Sequence, residues 1–139
     1  MGRRTWIDSG IWYETRKLSD KELKLYLCLL ANDSGNIAGY YKVNIQHLAS
    51  DARLDEEEVE RLLKKDNKFW IFDEDTEQVL LPKYTKYNIV KGAPQIKKLN
   101  AELSKLTPCK LHKVFMDNWT EINGAGSEEL IDYKFRIYY

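Results

Sequence analysis

Few residues in this chain have the chemistry for catalysis or metal binding. It holds two histidines and two cysteines. Cys109 and His112 stand three apart, a spacing that could supply two zinc ligands from one helical turn. A closed zinc site needs four, and neither Cys28 nor His47 belongs to a second pair of suitable spacing. Cys28 lies inside the apolar run Leu25–Leu30, where a cysteine acts as a small hydrophobe, and no disulfide is expected. The sequence has no Gly-rich phosphate loop and no recognisable nucleophile motif. It therefore predicts a non-catalytic protein with no metal and no cofactor.

Lysine and tyrosine carry the sharper signal. The 22 basic and 22 acidic residues cancel, yet they are unevenly ordered along the chain. Residues 83–113 contain eight lysines (Lys83, Lys86, Lys91, Lys97, Lys98, Lys105, Lys110 and Lys113) against one acid, Glu102. Residues 55–66 hold six acidic and three basic side chains, residues 67–82 four and one, and residues 117–139 five and two. Clustered lysines attract a polyanion even when the whole molecule is neutral, although on a helix they also serve as a plain solvated face. Tyr84 and Tyr87 stand among these lysines, as a stacking surface for unpaired bases would require. Packing at the base of a hairpin would use them as well. Lysines meet phosphates as point charges, so DNA held here, with help from Arg3 and Arg4, would be bound with weak sequence specificity and strong salt dependence.

The elements that must position these residues follow from capping signals and periodicity. With 139 residues, 43% of them apolar and 32% charged, the chain fits one domain or one domain with an appendage. Ser19 and Glu22 form a capping box, with Leu18 and Leu23 as a hydrophobic staple, and open an apolar helix that ends at the turn-forming residues 32–36. Residues 37–43 read as a short strand. Asn44 caps a second helix with Ile45, Leu48, Ala49 and Ala52 inward. Asp55 and Glu58 form the capping box of a third, whose stripe is Val59, Leu62 and Leu63. Residues 68–72 and 78–82 then read as the strands of a hairpin around the polar turn 73–76. Pro94 opens a fourth helix with Ile96, Leu99, Leu103 and Leu106 on one face, and Thr107 and Pro108 cap a fifth with Leu111, Val114, Phe115 and Trp119 inward. Helix, strand, helix, turn, helix, hairpin is the order of a winged helix. The expected fold is thus mainly α with a small β-hairpin wing, a winged helix-turn-helix with two extra C-terminal helices and a terminal strand. Residues 1–119 form the domain, with 94–119 as its helical extension, and 120–139 are a linker and a strand-like tail.

That tail alternates Ile131, Tyr133, Phe135, Ile137 and Tyr139 with mostly polar residues. Such a strand would pair with a sheet edge of its own domain or of a second copy, or begin a further domain. Tyr133, Phe135 and Ile137, together with Trp6 and Trp12 of an aromatic N-terminal arm, are therefore the candidate oligomerisation residues, and a homodimer or higher oligomer is expected. The longest apolar run is far shorter than the roughly 20 residues that cross a bilayer. The N-terminus has no apolar signal stretch, so a cytoplasmic protein without membrane contact is expected.

Residues 23–36, 45–52, 55–63 and especially Val79-Leu80-Leu81-Pro82-Lys83-Tyr84-Thr85-Lys86-Tyr87-Asn88 resemble the N-terminal winged-helix domains of phage and DnaD-like replication initiation proteins of Gram-positive bacteria. Ala93-Pro94-Gln95-Ile96-Lys97-Lys98 resembles the proline-led helix that follows in that family. The likeness spans roughly residues 4–119 and is one of pattern. It implies a replication protein that binds DNA near an origin, works as an oligomer, and has a helicase or its loader as partner. Members commonly carry a further C-terminal domain, so the chain is expected to be a fragment or a short member. One feature departs from the usual docking mode: the recognition helix begins Asp55-Glu56-Glu57-Glu58, and Asp73, Glu74, Asp75 and Glu77 make the wing acidic. These carboxylates would face phosphates, which shifts the expected DNA contact to the lysine segment. The competing expectation is a protein-interaction module that makes no direct DNA contact.

Overall fold

Ser19 starts the first helix by reciprocal capping. Its Oγ accepts from the Glu22 N–H (3.2 Å) and its own N–H donates to Glu22 Oε1 (3.1 Å), which satisfies two backbone donors at the start of α1, Asp20–Leu30. In this computed structural model residues 13–31, 37–65 and 67–137 are described. The turn expected at 32–36 lies outside them. Leu23, Tyr26, Leu27 and Leu30 are spaced i, i+3, i+4, i+7, but α1 is apolar nearly all round, and its most buried side chains are Leu25, Tyr26, Leu29 and Leu30.

Strand β1, Tyr40–Lys42, leads to α2, Ile45–Ala52, where Asn44 Oδ1 accepts from the His47 N–H at 3.0 Å. Arg53 closes α2 in the left-handed region (φ 57°) and turns the chain into α3, Glu56–Leu63. The capping box expected at α3 does not form: Asp55 makes no side-chain cap. The Glu58 carboxylate that would reach back is taken by the Lys21 ammonium of α1. A charge-assisted contact between helices displaces the local one.

Asn67 then caps a tight turn, accepting from the Phe69 (2.7 Å) and Trp70 (3.0 Å) N–H groups, so β2 is confined to Ile71–Asp73 instead of beginning at Lys68. The polar turn returns as β3, Gln78–Leu80, with Glu77 at positive φ. The sheet is antiparallel in the order β1-β3-β2. Tyr41, Val79 and Phe72 are in register on one face, and Tyr40, Leu80 and Ile71 on the other.

Those two faces divide the protein into two cores. Tyr41, Val79 and Phe72 join α1, α2 and α3 together with Phe69, Trp70 and Tyr84. Tyr40 and Leu80 join Leu99, Leu103, Leu111, Phe115, Met116 and Trp119. The chain then forms the one-turn helix α4, Tyr84–Tyr87, whose two tyrosines pack on the first core, and the second core is built on α5, Ala93–Leu103, and α6, Leu111–Asn123. Thr107 does not cap α6 as expected; its N–H and carbonyl are both held by the Gln78 side-chain amide, at 2.7 and 2.9 Å. Gly39, just before β1, is required by sterics. It has φ 68°, and a Cβ there would stand 2.6 Å from Tyr84 Cβ.

Among the described residues of the tail no strand forms. Residues Ser127–Leu130 form a 3₁₀ turn and Tyr133–Arg136 a short helix, α7. Ile131 and Phe135 are buried in the second core, while Tyr133 and Ile137 are exposed. The alternating pattern also contains an i, i+4 pair, and that pair wins because the Phe135 ring finds His112 at 4.2 Å, stacked, and Phe115 at 5.6 Å, edge-on. The Trp119 indole N–H donates to the Ser127 carbonyl and the Arg136 Nε–H to that of Ile131. The fold is therefore mainly helical with a small three-stranded antiparallel sheet. Among the described residues no helix is long and apolar enough to cross a membrane.

Candidate nucleic-acid interface

Two helical regions compete for the role of anion-binding surface, and their charges are arranged in opposite ways. In α3 and the turn that closes it, Arg61, Lys64 and Lys65 each have an acidic partner. Arg61 lies 3.7 Å from Glu58, Lys64 lies 3.3 Å from Glu60 and 3.0 Å from Glu74 of the hairpin turn, and Lys65 lies 3.4 Å from Glu22. Arg61 thus pairs at i, i+3 with Glu58 rather than at i, i+4 with Glu57. The carboxylates of Glu74 and Glu60 raise the Lys64 pKa. Burial pushes the Glu22 carboxyl up, but the Ser19 capping bonds and Lys65 outweigh it and hold the group below its ordinary value. Asp55, Glu56 and Glu57 remain exposed at the start of α3, where the helix dipole favours them and a phosphate would not.

The lysine segment is built differently. Lys86, Lys91, Lys97, Lys98, Lys105, Lys110 and Lys113 are exposed, and none of the ion pairs among the described residues involves them. The one acid of the segment is turned away from them. Glu102 Oε1 accepts from the backbone N–H groups of Ile37 (2.8 Å) and Ala38 (3.2 Å), tying α5 to the strand entry instead of neutralising its own lysines. Lys110 and Lys113 sit at the start of α6, whose first turn has no acidic residue. Cations at the positive end of a helix destabilise it slightly, and they concentrate positive potential where its free N–H groups point.

Three of the expected contact residues are drawn into the scaffold. Tyr84 is 1% exposed and forms part of the first core beneath Gly39, so no base can stack on it. Lys83 is ion-paired with Glu14, and the half-buried Tyr87 donates its hydroxyl to the other oxygen of the same carboxylate at 3.0 Å. That pairing, led by Lys83, lowers the Glu14 pKa. The stacking surface expected from Tyr84 and Tyr87 is therefore not formed, because both rings are used to anchor the chain after the hairpin. Lys86 keeps its ammonium 5.7 Å from the Tyr87 ring centroid. Arg3, Arg4, Trp6 and Trp12 lie outside the described residues. Of the expected oligomerisation residues, Tyr133 and Ile137 are exposed and Phe135 is buried.

Cys109 and His112 converge, but on a tyrosine. The Tyr40 hydroxyl lies 2.7 Å from His112 Nδ1 and 3.2 Å from Cys109 Sγ, and the Gln78 amide donates toward that sulfur at 3.4 Å. Burial lowers the His112 pKa to about 4, so the ring is neutral at pH 7, and raises the Tyr40 phenol well above its ordinary value. Sequence reasoning missed this buried network, although Gln78 beside Val79-Leu80-Leu81 is a polar residue at an apolar position that needed a partner. Both cysteines are free thiols, and among the described residues no cluster of three or more His, Cys, Asp or Glu side chains could hold a metal ion. No protein-family model, curated protein or solved structure matches this chain, so its reading rests on the contrast between a self-neutralised α3 and an unneutralised lysine surface.

Proposed function

We propose that this chain is a non-catalytic winged-helix domain of the DnaD-like replication initiation type, working in the cytoplasm and binding DNA through phosphate contacts from its α5–α6 lysines. The observation that carries this reading is the set of exposed lysines at 97, 98, 105, 110 and 113, which take part in no ion pair among the described residues, with Glu102 diverted to backbone donors. The element order supports a winged helix: α2 and α3 joined by a short turn, followed directly by the β2–β3 hairpin. In this reading α3 is a recognition helix that has lost its usual use, since its basic side chains are already occupied and its leading carboxylates repel phosphate. Affinity then comes from counterion release, with little reading of base edges.

Fluorescence anisotropy with labelled single- and double-stranded DNA at several salt concentrations tests the proposal. Binding should weaken linearly in log–log form. Changing Lys98, Lys105, Lys110 and Lys113 to Gln should lower affinity on the order of a hundredfold and flatten the salt slope by about three to four. The same change at Arg61, Lys64 and Lys65 should alter affinity less than about twofold, because those charges are already compensated. The reverse ranking would return the contact to α3. Absence of binding at low salt would favour the second reading, a protein-interaction module, for which the observation is the exposed acidic surface of α3 and the hairpin turn.

A further inference from the structure

A recess of about 250 Å³ lies where α7 meets the junction of α5 and α6. Its apolar lining comes from Leu103, Leu106, Pro108 and Phe135, joined by His112, which is stacked on the Phe135 ring. Ser104, Asp132 and Lys134 complete the lining, and all three are exposed. Asn100 fixes the entry to α7, donating to the Leu130 carbonyl and accepting from the Asp132 N–H, both at 3.0 Å. Basic residues adjoin the lining along the chain: Lys105 directly precedes Leu106, and Lys110 and Lys113 bracket His112. Because Phe135 seats α7 on α6, Lys134 joins this surface from outside residues 83–113. Tyr133, between Asp132 and Lys134, is 69% exposed, and the Arg136 guanidinium stands 5.7 Å from its ring centroid. The exposed aromatic that Tyr84 and Tyr87 fail to provide therefore stands on α7.

Size and surroundings decide what the recess can take. Sites for drug-sized ligands run to roughly 300–1,000 Å³, and this one is smaller. An apolar slot of that size within a basic surface suits one flat ring carried on a phosphate chain. A base in a duplex must first be unpaired and unstacked at a cost in free energy, whereas an unpaired base enters without it. We propose that the recess is a base site for single-stranded DNA: one unpaired base enters between the α5–α6 junction and α7, a neighbouring base stacks on Tyr133, and Lys105, Lys110, Lys113 and Lys134 hold the flanking phosphates. The inference rests on the lysine surface being the DNA-binding one and adds the strand state that it selects. Asp132, a poor neighbour for phosphate, lines the recess itself, where a carboxylate accepts from a base amino group. Stacking tolerates any base, so selection is by strand state far more than by sequence.

Anisotropy on the whole chain at one low salt concentration tests this with three labelled probes of equal length: a mixed-sequence single strand, its duplex, and a strand of abasic sites that keeps the phosphates and lacks the bases. The single strand should bind about tenfold more tightly than either of the others. Tyr133→Ala should weaken single-strand binding roughly tenfold, as loss of one base–aromatic stack does, and leave duplex and abasic binding unchanged. Ser104→Phe fills the recess from an exposed position and should have the same selective effect, whereas Lys134→Gln should weaken binding to all three probes. Circular dichroism and Tm of the three variants should match wild type, because each changes an exposed side chain. Equal affinity for the three probes would overturn the base site and leave the lysines as a plain phosphate surface. A single-strand preference that survives both Tyr133→Ala and Ser104→Phe would overturn it as well. Binding to none of the probes would remove the DNA-binding reading and this inference with it.

Discussion

The α3 region and the α5–α6 region of this protein both contain amphipathic helices with buried leucines, and both are rich in charge. They differ in where the charges find partners. In α3, carboxylates lie at the favourable helix end and its basic residues pair with Glu58, Glu60, Glu74 and Glu22, so the region is electrostatically closed. In α5–α6 the lysines have no such partners among the described residues, two of them load the unfavourable end of a helix, and the one acid of the segment is held by backbone donors. Charge that stabilises the fold is arranged as in α3. Charge that stays exposed is what the proposed polyanion-binding surface needs, and the two arrangements lie on opposite faces of one small sheet.

The same division extends to the buried polar groups, which offers the largest way to sharpen it. His112 belongs to the second core, with its pKa at about 4 against an ordinary value of 6.5. Between those values the unfolded chain takes up a proton at position 112 that the folded chain refuses, so stability falls as pH drops through that window. The loss should approach about 3 kcal/mol once the pH is below 4. Urea denaturation from pH 7 to 4 measures it, and His112→Asn should flatten this limb. If exchange of amide protons at pH 4.5 opens α1–α3 before α6 and α7, the assignment of acid sensitivity to the second core fails.

A smaller effect tests the trade between stability and binding. Replacing Lys110 and Lys113 with Glu should stabilise the protein by about 1 kcal/mol, because acidic groups then occupy the start of α6. The same variant should bind DNA more weakly than wild type. Thermal unfolding and anisotropy on one preparation check both, and a variant that is less stable would show that these lysines contribute to the fold. The smallest effect is expected in α3. Lys64→Gln breaks two exposed pairs at once, yet should leave Tm within the error of the measurement and DNA affinity within about twofold, since surface ion pairs contribute little. A marked loss of affinity would contradict the view of α3 as electrostatically closed.

Much of the helical skeleton was legible because its signals are local. Ser19 and Glu22 are three residues apart, as are Asn44 and His47, and both caps form as expected. The stripe Leu99 and Leu103 and the hairpin around the polar turn 73–76 were likewise written within a few positions. The expected site fared less evenly. Exposure of the lysines from 97 to 113 followed from the apolar stripes opposite them, but the fate of Tyr84, Tyr87 and Lys83 depended on Gly39 and Glu14, more than forty residues away. The tail was misread because alternation and an i, i+4 pair coincide at Ile131 and Phe135, and only the presence of His112 and Phe115 beside them selects a helix.

By itself the sequence determined where α1 and α2 begin, which faces of the main helices are apolar, and that positive charge is concentrated in residues 83–113, because capping and periodicity act over one or two turns. Tertiary structure decided which charges are left without partners. Lys65 meets Glu22, Lys21 meets Glu58 and Glu102 meets the N–H groups of Ile37 and Ala38 across 37 to 65 positions. Coulomb and hydrogen-bond energies depend on distance in space, and the chain's order does not contain that distance until the two cores close on either side of the sheet.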